Sequence, residues 1–493
     1  MPTGLSKSRY CRGIQCPKML WLDKHMPEQA GDLGLETAMA TGIKVGELAR
    51  DYFGDFSIVE SEADKPAMAE RTERLINEGA KNIAEASFIH DGLYCAVDIL
   101  RRDGDGFDIV EVKSSTGMKE IYSDDAAFQY HLLTRCGVHV EKVYLMHLNN
   151  SYVRRGNLEL DKLFTLNDCT DDVIQRAAGV EENIAEIRAY VDANVEPEQD
   201  IGEHCGSPYA CAYYGYCARH IPEPSIFDVH GLWASKKYDY YRQGIISFED
   251  VIKSGLQLTE KQMQQVETAY YHRPDAIFPD KIKTFLDDLS YPLYHLDFET
   301  FQQAVSEYDG LSPYSQIPFQ YSLHIERADG TLEHREFLAK EGADPRRALA
   351  ESLCADIPED VCALAYNASF ESRVLRGLAD TFPDLADHLL AINDNLHDLM
   401  IPFRNRYYYN EAMQGSYSIK FVLPALCPGD PELDYHALNG VHNGGEASAA
   451  FADLPNHTPE EIAAIRENLL SYCRLDTLAM VKVLERLREC VNS

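Results

Sequence analysis

Two strand-rich stretches, separated by a long helical interval, constrain this chain more than any other feature. The first carries GLYCAVDILRR and GFDIVEVKSS, apolar-alternating runs joined by RDGDG, which read as a β-hairpin. A helical run, AAFQYHLLTRCG, and a third strand, VEKVYLMHLN, follow it. The second stretch opens at YPLYHLDFETF and continues through IPFQYSLHIER and VCALAYNASF before ESRVLRGLADTF begins a helix. Strands alternating with helices build α/β layers, and two such sets in 493 residues exceed one ordinary core. The expectation is therefore two α/β domains. The interval between them holds short amphipathic pieces, GIISFEDVIKSG and LTEKQMQQVETAYYHRP, ended by turn residues, and reads as a small helical module. The expected boundaries are 1–225, 226–290 and 291–493. A long amphipathic helix closes the chain, its start marked by Thr458 as N-cap before Pro459 and Glu460.

Charge narrows the function class. Lys and Arg number 46 against 80 Asp and Glu, a net −34, which excludes a sequence-independent basic coat for nucleic acid. A local basic groove remains compatible with that total, and divalent cations offset acidic charge where a phosphate must approach. No apolar run is long enough to span a bilayer, and MPTGLSKSRYCRGIQCPK lacks the apolar centre of a signal peptide. The chain is expected to be cytoplasmic, with no membrane partner.

Acidic residues fall where chemistry can use them. Asp297 and Glu299 alternate on a strand, so both side chains leave the same face and can reach the same cations. Asn367 stands at a later strand end, and Glu371 lies in the first turn of the helix after it. On the closing helix Tyr472 and Asp476 are four apart and share one face. Four carboxylates drawn from a strand and two helices suit a pair of divalent metals, the arrangement that phosphodiester hydrolysis requires. A tyrosine one turn before the last acid is placed to orient or help deprotonate the attacking water.

LDFET, NASFES and YCRLD in that order resemble the three motifs of the DEDD superfamily, the DnaQ-like 3′–5′ exonucleases of ribonuclease H-like fold. The Tyr-x-x-x-Asp ending resembles the tyrosine subgroup. The resemblance implies catalytic and metal-binding roles for Asp297, Glu299, Glu371 and Asp476 with Mg²⁺ or Mn²⁺, and a catalytic role for Tyr472. The sequence departs from the family at Glu371, where the third acid is usually Asp. Asp398 in HDLMIPF and Lys420 in GSYSIKFVLPAL resemble auxiliary segments of such nucleases, although helix capping or a surface charge accounts for each equally well.

In the first half Asp98 lies on one hairpin strand and Glu111 and Lys113 on the next, with the E-x-K pair sharing one face. An acid pair binds a divalent metal and a lysine steadies water or developing phosphate charge. The helix that follows carries Tyr122 and Gln129. This order resembles the PD-(D/E)XK core of RecB-like nucleases, restriction-endonuclease-like in fold, and implies a second nuclease site at Asp98, Glu111, Lys113 and Gln129. The family's upstream histidine is not matched: TGIKVGELAR has Gly46 there, with Glu47 beside it.

Thirteen cysteines without a secretory signal read as free thiols or metal ligands. Cys354, Cys362 and Cys473 lie singly in apolar segments and read as small core residues. Cys205, Cys211 and Cys217 are evenly spaced among glycines and aromatics, with Cys16 the best fourth partner and Cys11 the alternative. Four thiolates suit zinc or a [4Fe–4S] cluster. A Cys-Pro-Lys near the N-terminus joined to a later cysteine triplet is similar to iron–sulfur-stapled RecB-like nucleases of the Cas-four and AddB type, and that resemblance implies [4Fe–4S] as a structural staple.

Together the two resemblances point to a prokaryotic family that joins an iron–sulfur RecB-like domain to a DnaQ-like domain. They imply a metal-dependent nuclease acting on DNA or RNA, single-stranded or with a free 3′ end. RNRYYYN and KKYDYYRQG interleave tyrosine with basic residues as a base-stacking groove would, though ordinary packing explains them as well. The competing expectation is a catalytically degenerate nucleic-acid-binding or scaffold protein.

Overall fold

A seven-stranded mixed sheet organises the N-terminal half of the computed structural model, which describes residues 4–34 and 36–492. Its strands are β1 (Leu5–Ser6), β2 (Ser57–Ile58), β3 (Asn82–His90), β4 (Leu93–Asp103), β5 (Gly106–Lys113), β6 (Val140–Leu148) and β7 (Phe164–Asp168). They run in the order β2-β3-β4-β5-β6-β7, with β1 paired to β4. The RDGDG turn forms as its composition predicts: β4 and β5 are antiparallel, Asp103 faces Gly106, and Gly104 takes φ +54°. β5 and β6 are parallel, so the chain must cross over between them, and the helix Glu120–Arg135 makes that crossing. Consecutive strand residues enter different cores. Leu100 and Ile109 join one cluster with Phe128 and Leu132, while Ile99 and Val110 join another with Val45 and Leu148. Both faces are therefore covered.

The second sheet is built from β9 (Leu293–Gln302), β10 (Gln316–Glu326), β11 (Leu332–Leu338), β12 (Cys362–Ala365) and β13 (Leu396–Asp398), in the order β11-β10-β9-β12-β13. A short separate pair joins β8 (Ala276–Ile277) to β14 (Tyr408–Tyr409). β9 is central, antiparallel to β10 and parallel to β12. Tyr294, Leu296 and Phe298 of β9 pack into a cluster with Leu353, Leu375 and Leu389 of three helices. Leu293 joins a different cluster with Leu475, Ala479 and Val483 of the terminal helix Pro459–Asn492. Asp297 and Glu299 have the parity of Leu293, so they leave the sheet on the side of the terminal helix. That helix is pinned to β10: Thr477 Oγ1 lies 2.7 Å from Ser322 Oγ and 2.8 Å from His324 Nδ1, and Gln320 Nε2 donates to Leu469 O at 2.9 Å.

The chain divides into two compact units, Met1–His220 with Gln303–Tyr314, and Ile221–Gln302 with Ser315–Ser493. Both are α/β. The helical interval clusters with the second unit, and its two amphipathic pieces are the helices Phe248–Ser254 and Glu260–Tyr271, each opened by a capping box. The loop Gln303–Tyr314 belongs with the first unit, where Arg154 Nη1 donates to Ser306 O at 2.7 Å. Among the described residues no helix is long and apolar enough to cross a membrane.

Candidate functional site

In the second unit, the acids taken from LDFET, NASFES and YCRLD converge. Asp297 and Glu299 lie on β9, and the register of β10 slips between Pro318 and Gln320, directly opposite Thr300 and Glu299. Such a bulge re-aims neighbouring side chains at a sheet edge. After β12 the chain turns at Asn367, whose φ of +71° is one that asparagine tolerates, and enters the helix Ser369–Thr381. That turn puts Glu371 in the first helical turn, 2% exposed, with Oε2 lacking any hydrogen-bond partner. From the terminal helix come Tyr472 and Asp476. Tyr435, which no spacing in the sequence links to the acids, donates to Asp476 Oδ1 at 2.6 Å.

The buried acids influence one another electrostatically. Burial raises Asp297 well above the ordinary carboxylate range, and the charges of Asp476, Glu299 and Glu371 raise it further. Burial with Asp476 and Glu371 lifts Glu299 to about 8, opposed by Lys420. Glu371 rises to about 8 through burial and the charge of Asp398. Asp476 reaches about 6, held lower by hydrogen bonds from Tyr435 and Tyr472 and by Lys420. Burial and the adjoining carboxylates drive the phenol of Tyr472 far above its usual range. Like charges buried together without enough cations are the arrangement that a divalent metal relieves.

Cys473, fully buried as its apolar segment predicts, has its thiol turned on the cluster: Sγ lies 3.7 Å from Asp297 Oδ2. One ligand atom each of Asp297, Glu299 and Cys473 lies within 4.8 Å of the others. Gly444, first residue of the helix Gly444–Asp453, faces the same place, since a Cβ there would stand 3.4 Å from Glu299 Oε2. Asp398 stands slightly apart. Its Oδ1 accepts from Asn367 N and Met400 N, both at 3.0 Å, so it fixes the left-handed turn that presents Glu371. Lys420 is exposed and acts on Glu299 and Asp476 as a nearby charge.

In the first unit, Glu111 is the hub. The β4–β5 ladder stops at Ile99 and Val110, and beyond it Asp98 Oδ2 accepts from Val112 N at 2.7 Å. Glu111, 1% exposed, accepts from Lys113 Nζ at 2.7 Å, from Gln129 Nε2 at 2.7 Å, and from Lys7 Nζ at 2.9 and 3.1 Å. Lys113 Nζ also donates to Asp125 Oδ2 at 2.6 Å and lies 5.0 Å from the centre of the Tyr122 ring. All four residues expected here are brought together. Sequence reasoning missed Asp125 and Lys7. Asp125 sits one helical turn before Gln129, a spacing that signals it, whereas Lys7 is 104 residues from Glu111 and gives no local sign. Two ammonium groups hold Glu111 below the ordinary carboxylate range despite its burial, while Asp98, dominated by burial and the Glu111 charge, rises to about 7. Gly46 and Glu47 lie in the helix Glu36–Tyr52, with Glu47 exposed.

Cys16, Cys205, Cys211 and Cys217 line one cavity together with Lys18 and His204. Cys16 occupies the N-cap position of the helix Pro17–His25, and Gln15 Nε2 ties that corner to His204 O at 2.6 Å and Tyr209 O at 2.7 Å. Cys11 lies elsewhere, near Asp125 and Lys113. None of the thirteen cysteines is joined in a disulfide.

No curated protein matches this chain. A family model described as a domain of unknown function, DUF2779, matches residues 294–418, a span that includes Asp297, Glu299, Glu371 and Asp398 but stops short of Tyr472 and Asp476.

Proposed function

We propose that the protein is a metal-dependent nuclease that hydrolyses phosphodiester bonds of DNA or RNA, working as a 3′–5′ exonuclease through Asp297, Glu299, Glu371 and Asp476. One observation carries the reading: these four carboxylates come from a strand and two helices to buried positions, where the charges of Asp476 and Glu371 raise the proton affinity of both Asp297 and Glu299. A pair of divalent cations, Mg²⁺ or Mn²⁺, would supply water activation and stabilisation of the leaving oxygen when bound. The unpartnered Oε2 of Glu371 fits that role, because a buried acceptor without a donor calls for a cation. The chain's own contribution is positional. Tyr435 fixes Asp476 by a hydrogen bond, and Tyr472, one helical turn before Asp476, is placed to orient the attacking water or a phosphate oxygen.

For the first unit the reading is a second nuclease-like site at Asp98, Glu111, Lys113 and Gln129, in which Lys7 and Lys113 already occupy the oxygens of Glu111. That occupancy favours the second unit as the part that cuts. The four thiols that line one cavity are read as holding a [4Fe–4S] staple. Such a cluster would tie the N-terminal helices to the segment 205–217 without entering the reaction.

The test is hydrolysis of 5′- and 3′-labelled single strands and duplexes of DNA and RNA with Mg²⁺ or Mn²⁺. Stepwise trimming from the 3′ end by the wild type, absent in Asp297→Ala, is the expected result. Absence of cleavage on every substrate, or equal cleavage by Asp297→Ala, overturns it. Loss of visible absorbance in anaerobically purified Cys205→Ser tests the cluster separately.

A further inference from the structure

We propose that Asp297, Glu299 and Cys473 form a site for a thiophilic divalent cation of the zinc class, overlapping the carboxylate cluster assigned above to Mg²⁺ or Mn²⁺. Only the consequence for catalysis rests on the nuclease reading; the binding itself does not.

Three features of the site carry the inference. The two carboxylates and the thiol each place a ligand atom within 4.8 Å of the other two. Cys473 does not simply fill apolar space, because its Sγ sits 3.7 Å from Asp297 Oδ2, in hydrogen-bonding range for sulfur. Beside them Glu371 is 2% exposed and keeps Oε2 without a partner, and its charge acts on both Asp297 and Glu299. A buried acceptor thus stands by the same cluster.

Ligand softness separates the two cation classes. Mg²⁺ takes oxygen ligands and retains water, so it gains nothing from a thiol. Zinc takes sulfur at about 2.3 Å and carboxylate oxygen at about 2.0–2.2 Å, so a modest contraction of the three residues completes three of four tetrahedral positions. On binding, the S–H bond of Cys473 breaks, a metal–sulfur bond forms, and the proton passes to solvent; nothing is oxidised or reduced. An ion so held engages both strand acids at once. It removes them from any arrangement that shares them between two hard cations, and a soft cation therefore blocks the site.

Cd²⁺ added to the full-length protein is the probe, read by the ultraviolet thiolate-to-cadmium band as a difference between variants, since other cysteines contribute equally to each. Cys473→Ser is expected to lose a saturable part of the wild-type band. Asp297→Asn, which keeps the thiol, is expected to shift the same part to at least about tenfold higher Cd²⁺. In the hydrolysis assay with Mn²⁺, Zn²⁺ should inhibit the wild type at roughly tenfold lower concentration than Cys473→Ser. Identical Cd²⁺ titrations of wild type, Cys473→Ser and Asp297→Asn overturn the proposal. Should Cys473→Ser fail to fold, Cys473→Ala and Asp297→Asn decide the same question. A protein that hydrolyses nothing with Mn²⁺ but shows the band differences refutes the nuclease reading and sustains the site.

Discussion

Glu111 in the first unit is gripped by two ammonium groups and an amide at 2.7–3.1 Å, whereas Asp297 and Glu299 in the second have chiefly other carboxylates, Asp476 and Glu371 among them, as charged neighbours. Both groups are buried, yet the outcomes are opposite. Glu111 is held ionised below its ordinary range, while Glu299 and Glu371 rise to about 8. The difference teaches that carboxylates converging at a buried place do not by themselves make a metal centre. What matters is whether the protein has already supplied the countercharge. Lys7 and Lys113 supply much of it to the first cluster; the second has hydroxyls, a thiol and one exposed lysine.

The largest effect should come from removing an acid of the uncompensated cluster. Asp297→Ala or Asp476→Ala is expected to lower 3′ trimming more than about 100-fold, beyond the 10–100-fold typical of residues that only support a ligand. Glu111→Gln and Lys113→Ala should leave that trimming within a few-fold. If Glu111→Gln abolishes it instead, the countercharge argument is broken and the first unit is the one that cuts.

Next in size is the loss of a lysine from the compensated cluster. Lys7, one-fifth exposed, pairs with a Glu111 side chain only 2% exposed, so Lys7→Met leaves a buried charge short of a partner. Denaturant unfolding should show a loss of about 3 kcal/mol, and the double variant Lys7→Met/Glu111→Gln should recover part of it. The same single variant should bind Mn²⁺ more tightly in the first unit, because one of the two ammonium groups that neutralise Glu111 has been removed while Lys113 and Gln129 remain. Unchanged stability and metal affinity would show that Lys7 is incidental.

The unequal legibility of these clusters in the sequence has a physical cause. The β4–β5 hairpin, β9 and the terminal helix each carry a local signal, in the RDGDG turn, the apolar run before LDFET and the capped 3.6-residue pattern. β3 shows no clean alternation because residues on both of its faces are buried, and β13, only three residues long, carries Asp398 without any periodicity to reveal it. Within the sites, acids at spacings of two on a strand or four on a helix were readable. Lys7 and Tyr435 were not, since each reaches its carboxylate from 104 and 41 residues away and no local period encodes that distance. Cys473 shows the limit from the other side: its burial followed from its apolar neighbours, but the direction of its thiol followed from the pairing of a helix with a strand.

Acidity sharpens the comparison at the scale of one or two kcal/mol. Glu299 and Glu371 have folded-state values of about 8 against an ordinary 4.5, so the folded protein retains their protons when the unfolded chain has lost them. Their contribution to stability is full below about 4.5 and disappears as the pH rises through 8. Metal-free protein should therefore melt at progressively lower temperature between pH 5 and pH 8, and Mn²⁺ should restore stability most at the upper end. Glu371→Gln is expected to flatten that profile and gain about 1–2 kcal/mol at pH 8 without metal. Glu111, shifted downward, behaves oppositely, and its contribution is lost only in acid. A metal-free melting profile that is the same in Glu371→Gln as in the wild type would remove the electrostatic distinction between the clusters.

The smallest effect separates a residue of the site from one that supports it. Asp398 Oδ1 accepts two backbone N–H groups at 3.0 Å, one from Asn367 at its left-handed turn, and Oδ2 lies 3.4 Å from Arg404 Nη1. Asn in its place keeps one acceptor oxygen and loses the charge, so the turn should persist with a cost of about 1 kcal/mol, the worth of strengthening two hydrogen bonds by ionisation. Asp398 also raises the proton affinity of Glu371. Asp398→Asn should therefore shift the rising limb of Mn²⁺ affinity against pH slightly to lower pH while reducing trimming less than tenfold. A loss as large as that of Asp297→Ala would instead place Asp398 among the groups that hold the metal, and the cluster would count five acids.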